Sequence, residues 1–202
     1  LITADTYTKL INPNDISVRT LFGDGATATL VSSDASDDHA PAIGNFIFGT
    51  DGAGHQDLIV PAGGFRNPIS DTTSIETKDA HGNVRSQEQL YMDGSKIIIF
   101  GLSVVPKAIQ SLLDKEGLDI DGIDHFVFHQ ASLLMLEKLS KKLKLSSGKM
   151  PIALQSTGNT VSSTIPITLQ KCLTEGRIKT GEKLLLMGFG VGLSWAACIL
   201  QT

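Results

Sequence analysis

Apolar residues recur at helical spacing in the middle of the chain. Between residues 87 and 115 they fall at or near intervals of three and four, as on one face of a helix, and Gly117 supplies a stop signal. The pattern predicts one long helix with a kink at Pro106, whose ring removes a backbone donor. The apolar face consists of Leu90, Ile97, Ile98, Leu102, Val105, Ile109, Leu112 and Leu113.

Short apolar and β-branched runs predict strands elsewhere. The first run, at 20–32, is rich in small and β-branched residues and is typical of a buried strand whose glycines permit close backbone approach. Further strands are predicted at 125–129, 152–154, 183–188 and 193–200. The last two are joined by a glycine-rich turn, which favours a hairpin.

Two more helices and a polar stretch make up the rest. Helical patterns cover 133–143 and 162–175, the second with Ser162 or Ser163 as N-cap and Pro166 in its first turn. Residues 33–85 are polar and punctuated by Gly, Pro, Asp and Asn, so we interpret them as a large excursion with short strands or turns. Helices that alternate with apolar strands predict a layered α/β fold.

Composition and charge narrow the class of protein. Of 202 residues, 41% are hydrophobic and 19% are charged, which is the balance of a folded protein. The net charge of -4 and the scattered basic residues argue against a nucleic-acid-binding surface. A short lysine cluster between Lys138 and Lys144 could still dock a small acidic partner.

The cysteines and the N-terminus bear on the location of the protein. Cys172 and Cys198 lack the spacing of a metal site or a disulfide framework, which favours a reducing, cytoplasmic setting. No uninterrupted apolar run reaches the roughly 18 residues of a membrane helix, and no export signal is visible, so we expect a soluble protein without membrane contact. The chain starts at Leu1 without an initiator Met, so we expect a fragment or a processed chain.

Candidate chemistry begins at a histidine. His129 ends the apolar run HFVFHQAS just before a helix, where open α/β sheets place their reactive groups. His125, four residues upstream on the same strand, is expected to be structural. His39, His55 and His81 are dispersed in the polar excursion as solvent-facing loop residues, so metal ligation is not expected.

Two glycine-containing turns supply further candidates. In STGNTVSSTIP, Gly158 allows a tight turn that presents the Asn159 amide before a helix. Alone, such an Asn is usually a turn or cap residue, and only its pairing with His129 gives it weight. In MGFGVGLSWAA, main-chain N–H groups could face a developing oxyanion, although the pattern by itself is typical of a tight hairpin. It is not a nucleotide-binding loop, because its glycines lead into a strand.

Together these motifs resemble one enzyme family. HQAS at 129–132, GNTVSSTIP at 158–166 and GFGVGLSWAA at 188–197 occur in the order and approximate spacing of 3-oxoacyl-ACP synthase III enzymes, members of the thiolase superfamily. FGDGA at 22–26 and GRIKTGE at 176–182 extend the resemblance almost end to end. The resemblance implies a thiolase-like layered α/β fold. Residues 1–85 would be the end of its N-terminal half with a polar excursion, and residues 86–202 its C-terminal half.

The resemblance also implies an activity and its site residues. Members of this family take an acyl group from acyl-CoA onto a cysteine and condense it with a malonyl thioester, which loses carbon dioxide. His129 and Asn159 match the pair that stabilises the resulting enolate, and a neutral His129 needs a partner that fixes its tautomer. The Val191 amide would serve the oxyanion site of the acyl-enzyme. Phe189 would line the substrate pocket, or simply pack.

The implied partners are thioesters and a carrier protein. The substrates would be acyl-CoA and malonyl-ACP or malonyl-CoA, with no metal or bound cofactor, and the full-length protein would be a homodimer. Lys141 and Lys142 would hold the acidic acyl carrier protein, although an exposed lysine pair is usually a solvated face. Relatives that dock a carrier show Asn, an apolar residue and Arg where this chain has 132–134, Ser-Leu-Leu, so the donor or carrier could differ.

The family's nucleophilic cysteine is missing from this chain. It stands at a helix N-terminus in the first half of the family's fold, whereas Cys172 and Cys198 are expected to be buried and inert. We therefore expect the chain alone to be inactive. Apolar surface that would face the rest of the fold should be exposed or covered by another chain.

Several functions remain open at this point. The favoured interpretation is that the full-length protein is a decarboxylating ketosynthase of fatty-acid or related lipid metabolism. One alternative is an acyltransferase, a polyketide-type or a hydroxymethylglutaryl-type relative. Another is a noncatalytic thiolase-fold subunit that pairs with a cysteine-bearing chain. The sequence leaves open the acyl-chain length and whether CoA or a carrier protein is the donor.

Overall fold

The computed structural model describes residues 1–33 and 42–202. Its helices are α1 Ile16–Arg19, α2 Gly94–Glu116, α3 Leu133–Leu143 and α4 Thr164–Thr174. Its strands are β1 Ile2–Asp5, β2 Gly25–Ala28, β3 Ala42–Thr50, β4 Leu58–Ile59, β5 Thr77–Lys78, β6 Val84–Arg85, β7 Tyr91–Met92, β8 His125–Phe128, β9 Lys183–Gly190 and β10 Ser194–Gln201. Short 3₁₀ turns lie at Tyr7–Leu10, Gly52–Gly54 and Val161–Ser163.

A mixed sheet forms the centre of the structure. Its strands lie in the order β3, β10, β9, β8. β8 and β9 run parallel, because α3 and α4 lie in the connection between them. β10 is antiparallel to both of its neighbours. β9 and β10 form the predicted hairpin, in which β9 is two residues longer than predicted and β10 is shifted by one residue.

The core lies on both faces of this sheet. Side chains alternate between the faces along a strand, and β8 shows the consequence. Phe126 and Phe128 pack with α2 and α3, whereas Val127 packs with Cys172 of α4 on the other side. All three β8 side chains are fully buried. Helices thus cover a central sheet on both faces, and the predicted layered α/β fold is confirmed.

α2 is the long helix that the sequence predicts, although it begins later than residue 87. The Asp93 carboxylate accepts a hydrogen bond from the Lys96 amide at 3.1 Å and caps the helix. The residues just before it form β7, which pairs with β4 and is therefore not helical. Gly117 closes the helix as predicted, with φ 66°. Pro106 lies inside the helix without ending it.

By length and composition, α2 is also apolar enough to cross a membrane. Several of its apolar side chains are part of the core, although Ile99 is 68% exposed. Val105, Ile109 and Leu112 are at most 1% exposed and pack with residues of the sheet and of α3. Packing in the core therefore accounts for part of the hydropathy of this helix.

The prediction of a buried strand over 20–32 is wrong. Within this range the strand is limited to β2, which pairs with β1 in an antiparallel ribbon. The residues that follow are exposed, and Leu30 is 93% accessible. One face of the ribbon contacts the Val161–Ser163 turn, where the Thr3 and Ser163 hydroxyls lie 2.9 Å apart. Since the contact covers one face only, the ribbon is half-buried at most.

The interpretation of 33–85 as a polar excursion with short strands needs one correction. β3 is a nine-residue strand at the edge of the main sheet, paired with β10. The remainder fits the prediction, because β4 and β5 are two-residue strands paired with β7 and β6. His55 and His81 lie exposed in turns as expected, and His39 lies outside the described residues.

The predicted strand at 152–154 is also absent from the described structure, and a side chain explains why. Gln130 accepts a hydrogen bond from the Ala153 amide at 2.9 Å. Its own amide donates to the carbonyl oxygens of Phe128 and Pro151 at 2.8 and 3.4 Å. These bonds take the place of a backbone ladder beside β8. The helix predicted at 162–175 forms as α4, after a 3₁₀ turn at its start.

Candidate functional site

His129 lies directly after β8, at the position that the sequence predicts. Its backbone amide donates to the Met187 carbonyl oxygen of β9 at 2.8 Å, which continues the parallel pairing by one bond. Ring atom Nδ1 lies 2.7 Å from the Thr164 hydroxyl at the start of α4. The imidazole packs edge-on against Phe189, with ring centroids 5.6 Å apart. The ring is therefore held from two sides.

Burial keeps this imidazole neutral. Loss of solvation lowers the pKa of His129 to about 4, and the nearby Val161 backbone only partly opposes that shift. The residue remains partly accessible to solvent. None of the residues 1–33 and 42–202 hydrogen bonds to Nε2, so this atom is free to meet a substrate.

The backbone of Asn159 is fixed by residues 21–23, at the start of the FGDGA segment. The Asn159 amide donates to the Leu21 carbonyl oxygen at 2.8 Å, and the Gly23 amide donates back to the Asn159 carbonyl oxygen at 3.0 Å. Gly158 makes the turn with φ 66°. A Cβ at residue 23 would lie 2.0 Å from the Thr157 carbonyl oxygen, so only glycine permits this approach.

The Asn159 side chain is equally constrained. It is 7% exposed. Its Oδ1 accepts a hydrogen bond from the Val161 amide at 2.9 Å, and its Nδ2 donates to the Ala131 carbonyl oxygen at 3.3 Å. The Ala131 amide in turn donates to the His129 carbonyl oxygen at 3.0 Å. The amide group of Asn159 has two protons, so one of them remains available next to the His129 segment.

Val161 joins the two side chains and was not singled out from the sequence. It adopts φ 54°, a left-handed conformation that is uncommon for a β-branched residue. Its amide donates to the Asn159 Oδ1 atom, and its carbonyl oxygen accepts the Thr164 backbone N–H and lies 3.0 Å from the Thr164 hydroxyl oxygen. The structure thus brings His129 and Asn159 together around one strained residue. Strain of this kind clusters at functional sites.

Phe189 is brought into the same region, whereas Val191 lies beyond it at the tip of the hairpin. Phe189 is 7% exposed and belongs to the main core as well as contacting His129. Val191 is 52% exposed. Within residues 1–33 and 42–202 its amide has no acceptor, so this N–H is free.

Lys141 and Lys142 lie apart from these residues. They are exposed in the last turn of α3, whose first turn follows His129. At about 1.5 Å per residue, they are roughly 12 Å along the helix axis from its start. Cations in a last helical turn also stabilise the negative end of the helix dipole. The position of this pair therefore stabilises the C-terminal end of α3, independently of any contact with a partner.

Both cysteines are buried, as predicted. Cys172 is 1% exposed near the end of α4, and Cys198 is 8% exposed on β10. Burial raises the pKa of both thiols, which disfavours the reactive thiolate. His125 meets the Glu182 carboxylate at 3.3 Å, which agrees with a structural role.

Comparison with known proteins agrees with the resemblance that the motifs indicate. The family model described as "3-Oxoacyl-[acyl-carrier-protein (ACP)] synthase III C terminal" matches residues 113–202. A second model, described as "3-Oxoacyl-[acyl-carrier-protein (ACP)] synthase III", matches residues 1–52. The beta-ketoacyl-[acyl-carrier-protein] synthase III of Caldanaerobacter subterraneus subsp. tengcongensis is 35% identical over 201 residues, which is 100% of this chain and 57% of that protein.

Solved structures give the same result. A 2.1 Å crystal structure of a 3-oxoacyl-(acyl-carrier-protein) synthase III matches with a TM-score of 0.91 and 46% identity, over 100% of this chain and 59% of that one. A 3-oxoacyl-(acyl-carrier protein) synthase from Burkholderia xenovorans LB400 matches with a TM-score of 0.77 and 37% identity, over 99% and 54% of the two chains.

The sheet with helices on both faces is therefore the thiolase-like class of α/β fold. Within that class, the chain belongs to the 3-oxoacyl-[acyl-carrier-protein] synthase III family, as the sequence motifs predict. It spans 57% of the length of the Caldanaerobacter relative.

Proposed function

We propose that the full-length protein that carries this chain is a decarboxylating ketosynthase of fatty-acid or related lipid metabolism. It condenses an acyl thioester with a malonyl thioester. The observation that carries the proposal is the meeting of a neutral imidazole and a fixed carboxamide, His129 and Asn159, through Val161. The names of the relatives, beta-ketoacyl-[acyl-carrier-protein] synthases III, support the same chemistry.

The proposed reaction places negative charge at a defined atom. The bond between the malonyl α-carbon and its carboxylate breaks, carbon dioxide leaves, and the electron pair moves onto the thioester oxygen. Nε2 of His129 and the remaining Nδ2 proton of Asn159 donate hydrogen bonds to this oxygen. The enolate carbon then attacks the acyl thioester. A carbon–carbon bond forms as the carbon–sulfur bond breaks and the thiolate departs.

Neutrality of His129 matters for the rate. A cationic imidazolium would attract the substrate's carboxylate before reaction and would stabilise the ground state as well. A neutral donor interacts most strongly when the oxyanion forms, and only such differential interaction accelerates the step. The lowered pKa of His129, about 4, keeps the ring neutral at pH 7.

Other residues complete the proposal. The free Val191 amide would donate to the carbonyl oxygen of the acyl-enzyme, and Phe189 would line the substrate pocket beside His129. Lys141 and Lys142, both exposed, would contact an acidic acyl carrier protein. The proposed substrates are acyl-CoA and malonyl-ACP or malonyl-CoA. No bound cofactor is proposed, because decarboxylation itself supplies the carbanion.

Organisation and location are also proposals. The full-length protein would be a cytoplasmic homodimer whose nucleophilic cysteine lies outside these 202 residues. Residues 1–85 would close the N-terminal half of the fold and residues 86–202 form its C-terminal half. The two segments share one sheet, because β3 of the first pairs with β10 of the second.

The proposal is tested by malonyl-thioester decarboxylation in the full-length protein. His129→Ala should lower the rate about 100-fold to 1,000-fold, the usual cost of one oxyanion donor. His125→Ala is the matched control on the same strand and should keep most of the activity. Release of carbon dioxide and the mass of the condensation product are both measured.

The outcomes separate the competing functions. A wild-type rate of decarboxylation in His129→Ala would refute the role proposed for this histidine. Acyl transfer without loss of carbon dioxide would favour the acyltransferase alternative. A full-length protein with no cysteine other than Cys172 and Cys198, and with no activity, would favour the noncatalytic subunit.

A further inference from the structure

The Thr164 hydroxyl is the side-chain partner of His129 at Nδ1. Thr164 is the first residue of α4 and is 3% exposed. Its Oγ1 lies 2.7 Å from His129 Nδ1 and 3.0 Å from the Val161 carbonyl oxygen. The hydroxyl therefore lies between one atom that can take either hydrogen-bonding role and one that can only accept.

The Val161 carbonyl oxygen does not depend on the hydroxyl proton. It already accepts the backbone N–H of Thr164 where the 3₁₀ turn runs into α4. The hydroxyl proton can therefore turn to His129 without leaving an unpaired buried carbonyl group. Nδ1, in contrast, has the Thr164 hydroxyl within hydrogen-bond distance, and an unprotonated Nδ1 can only accept from it.

We propose that Thr164 is a positioning residue that donates its hydroxyl proton to Nδ1 and so selects the His129 tautomer with the proton on Nε2. This inference rests on the proposed function, which requires a donor at Nε2. The opposite tautomer would direct a bare nitrogen lone pair at the enolate oxygen and would repel it.

The surroundings of Thr164 favour a fixed hydroxyl. Its branched Cβ restricts the side-chain torsion, and burial at the first turn of α4 removes competing water. Val161, its other partner, also bonds to Asn159. The Thr164 backbone N–H donates to the Val161 carbonyl oxygen, and the Thr164 hydroxyl faces His129 Nδ1, so hydrogen bonds connect Asn159 to His129. The loop that carries one donor of the site also sets the proton position of the other.

The first test measures the tautomer directly. In the full-length protein labelled with ¹³C and ¹⁵N at histidine, the ring signals of His129 are assigned by their loss in His129→Gln. The wild type should show the Nε2–H form at pH 7. Thr164→Val, which keeps the shape and removes the hydroxyl, should shift the signals toward a mixture of tautomers. Thr164→Ser should restore the wild-type pattern.

Thr168→Val is the matched control. Thr168 lies one turn along α4 and is fully buried, and its hydroxyl donates to the Thr164 carbonyl oxygen at 2.8 Å. Its substitution places the same buried valine in the same helix and should leave the His129 signals unchanged. An Nδ1–H form in the wild type, or identical signals in Thr164→Val and the wild type, would overturn the inference.

Kinetics separate this inference from the proposed function. Thr164→Val should lower kcat for decarboxylation about 10-fold to 100-fold, with KM little changed and with rescue by Thr164→Ser. If His129→Ala is fully active while Thr164→Val alters the tautomer, the proposed function fails and the tautomer assignment stands. If His129→Ala is inactive while Thr164→Val matches the wild type in tautomer and rate, the role of Thr164 alone is refuted.

Discussion

At the scale of single residues, the site depends on how little water reaches His129. The ring lies between Phe189 and the start of α4, and burial lowers its pKa from 6.5 to about 4. An unfolded chain would hold the same histidine near its ordinary pKa of about 6.5. Between these two values the unfolded state binds a proton that the folded state does not, so folding and protonation compete.

We therefore predict a pH-dependent stability difference between the wild type and His129→Gln. The neutral histidine contributes fully to the free energy of unfolding above about pH 6.5. This contribution is lost as the pH falls toward 4, because the pKa of His129 is lower in the folded state than in the unfolded state. Urea unfolding of both proteins at pH 7.5, 6.0 and 4.5 measures the difference in their free energies of unfolding. The wild type should lose free energy of unfolding relative to His129→Gln across this range. A difference that stays constant with pH would contradict the prediction.

At the scale of elements, Gln130 shows where one side chain takes over the role of a strand. It is 2% exposed and bridges the end of β8 to residues 151–153 through hydrogen bonds to three backbone groups. These residues lead into the turn that carries Asn159. The bridge therefore sets the distance between the segments that bear the two proposed donors.

Removal of this bridge should destabilise the fold. In Gln130→Ala, the Ala153 amide and the Phe128 carbonyl group lose their partners in a buried setting, which costs about 1–3 kcal/mol per unsatisfied group. We expect a loss of at least about 2 kcal/mol in the free energy of unfolding, measured by urea denaturation of the full-length protein. Gln110→Ala is the control, since Gln110 is exposed on α2 and its side chain donates to the Asp114 carboxylate on the same helix. Equal free energies of unfolding of the two variants would refute the stabilising role given to the Gln130 bridge.

The sequence predicts those elements whose signals are local. Gly117 and the apolar spacing of α2 predict the long helix directly, and the HQAS and GNT motifs mark the two segments, after β8 and before α4, that carry His129 and Asn159. The strand at 152–154 fails because its partner is the Gln130 side chain, which no periodicity reveals. Thr164 and Val161 are equally hidden, since their contact with His129 arises only when α4 docks against β8.

At the scale of the whole molecule, the β1–β2 ribbon at the start of the chain packs against the turn that follows Asn159. The Thr3 and Thr27 hydroxyls of the β1–β2 ribbon lie 2.6 Å apart, and Thr3 also contacts Ser163. On the opposite side the ribbon leaves apolar residues uncovered, and Ile2 is 79% exposed. Apolar surface of this kind fits a chain that spans 57% of its Caldanaerobacter relative.

The contact between the FGDGA segment and the Asn159 turn predicts the effect of one methyl group. In Gly23→Ala the new Cβ would lie 2.0 Å from the Thr157 carbonyl oxygen, so the two backbones must separate. Separation breaks the reciprocal bonds that hold the Asn159 backbone, at 2.8 and 3.0 Å. A misplacement of about 1 Å in an active site can cost roughly 100-fold in rate. We therefore expect a loss of that order in decarboxylation by the full-length protein.

Gly52→Ala controls for the substitution itself, because a Cβ at Gly52 meets no atom within 4 Å. It should match the wild type in rate and in the midpoint of urea unfolding. Without urea, circular dichroism should show that Gly23→Ala is folded, since the strain falls on the turn rather than on the main core. Its decarboxylation rate should nevertheless be lower than that of the wild type. If Gly23→Ala and Gly52→Ala decarboxylate malonyl thioester equally fast, the amino-terminal segment does not position Asn159. The contact between residues 21–23 and the turn would then matter only for packing.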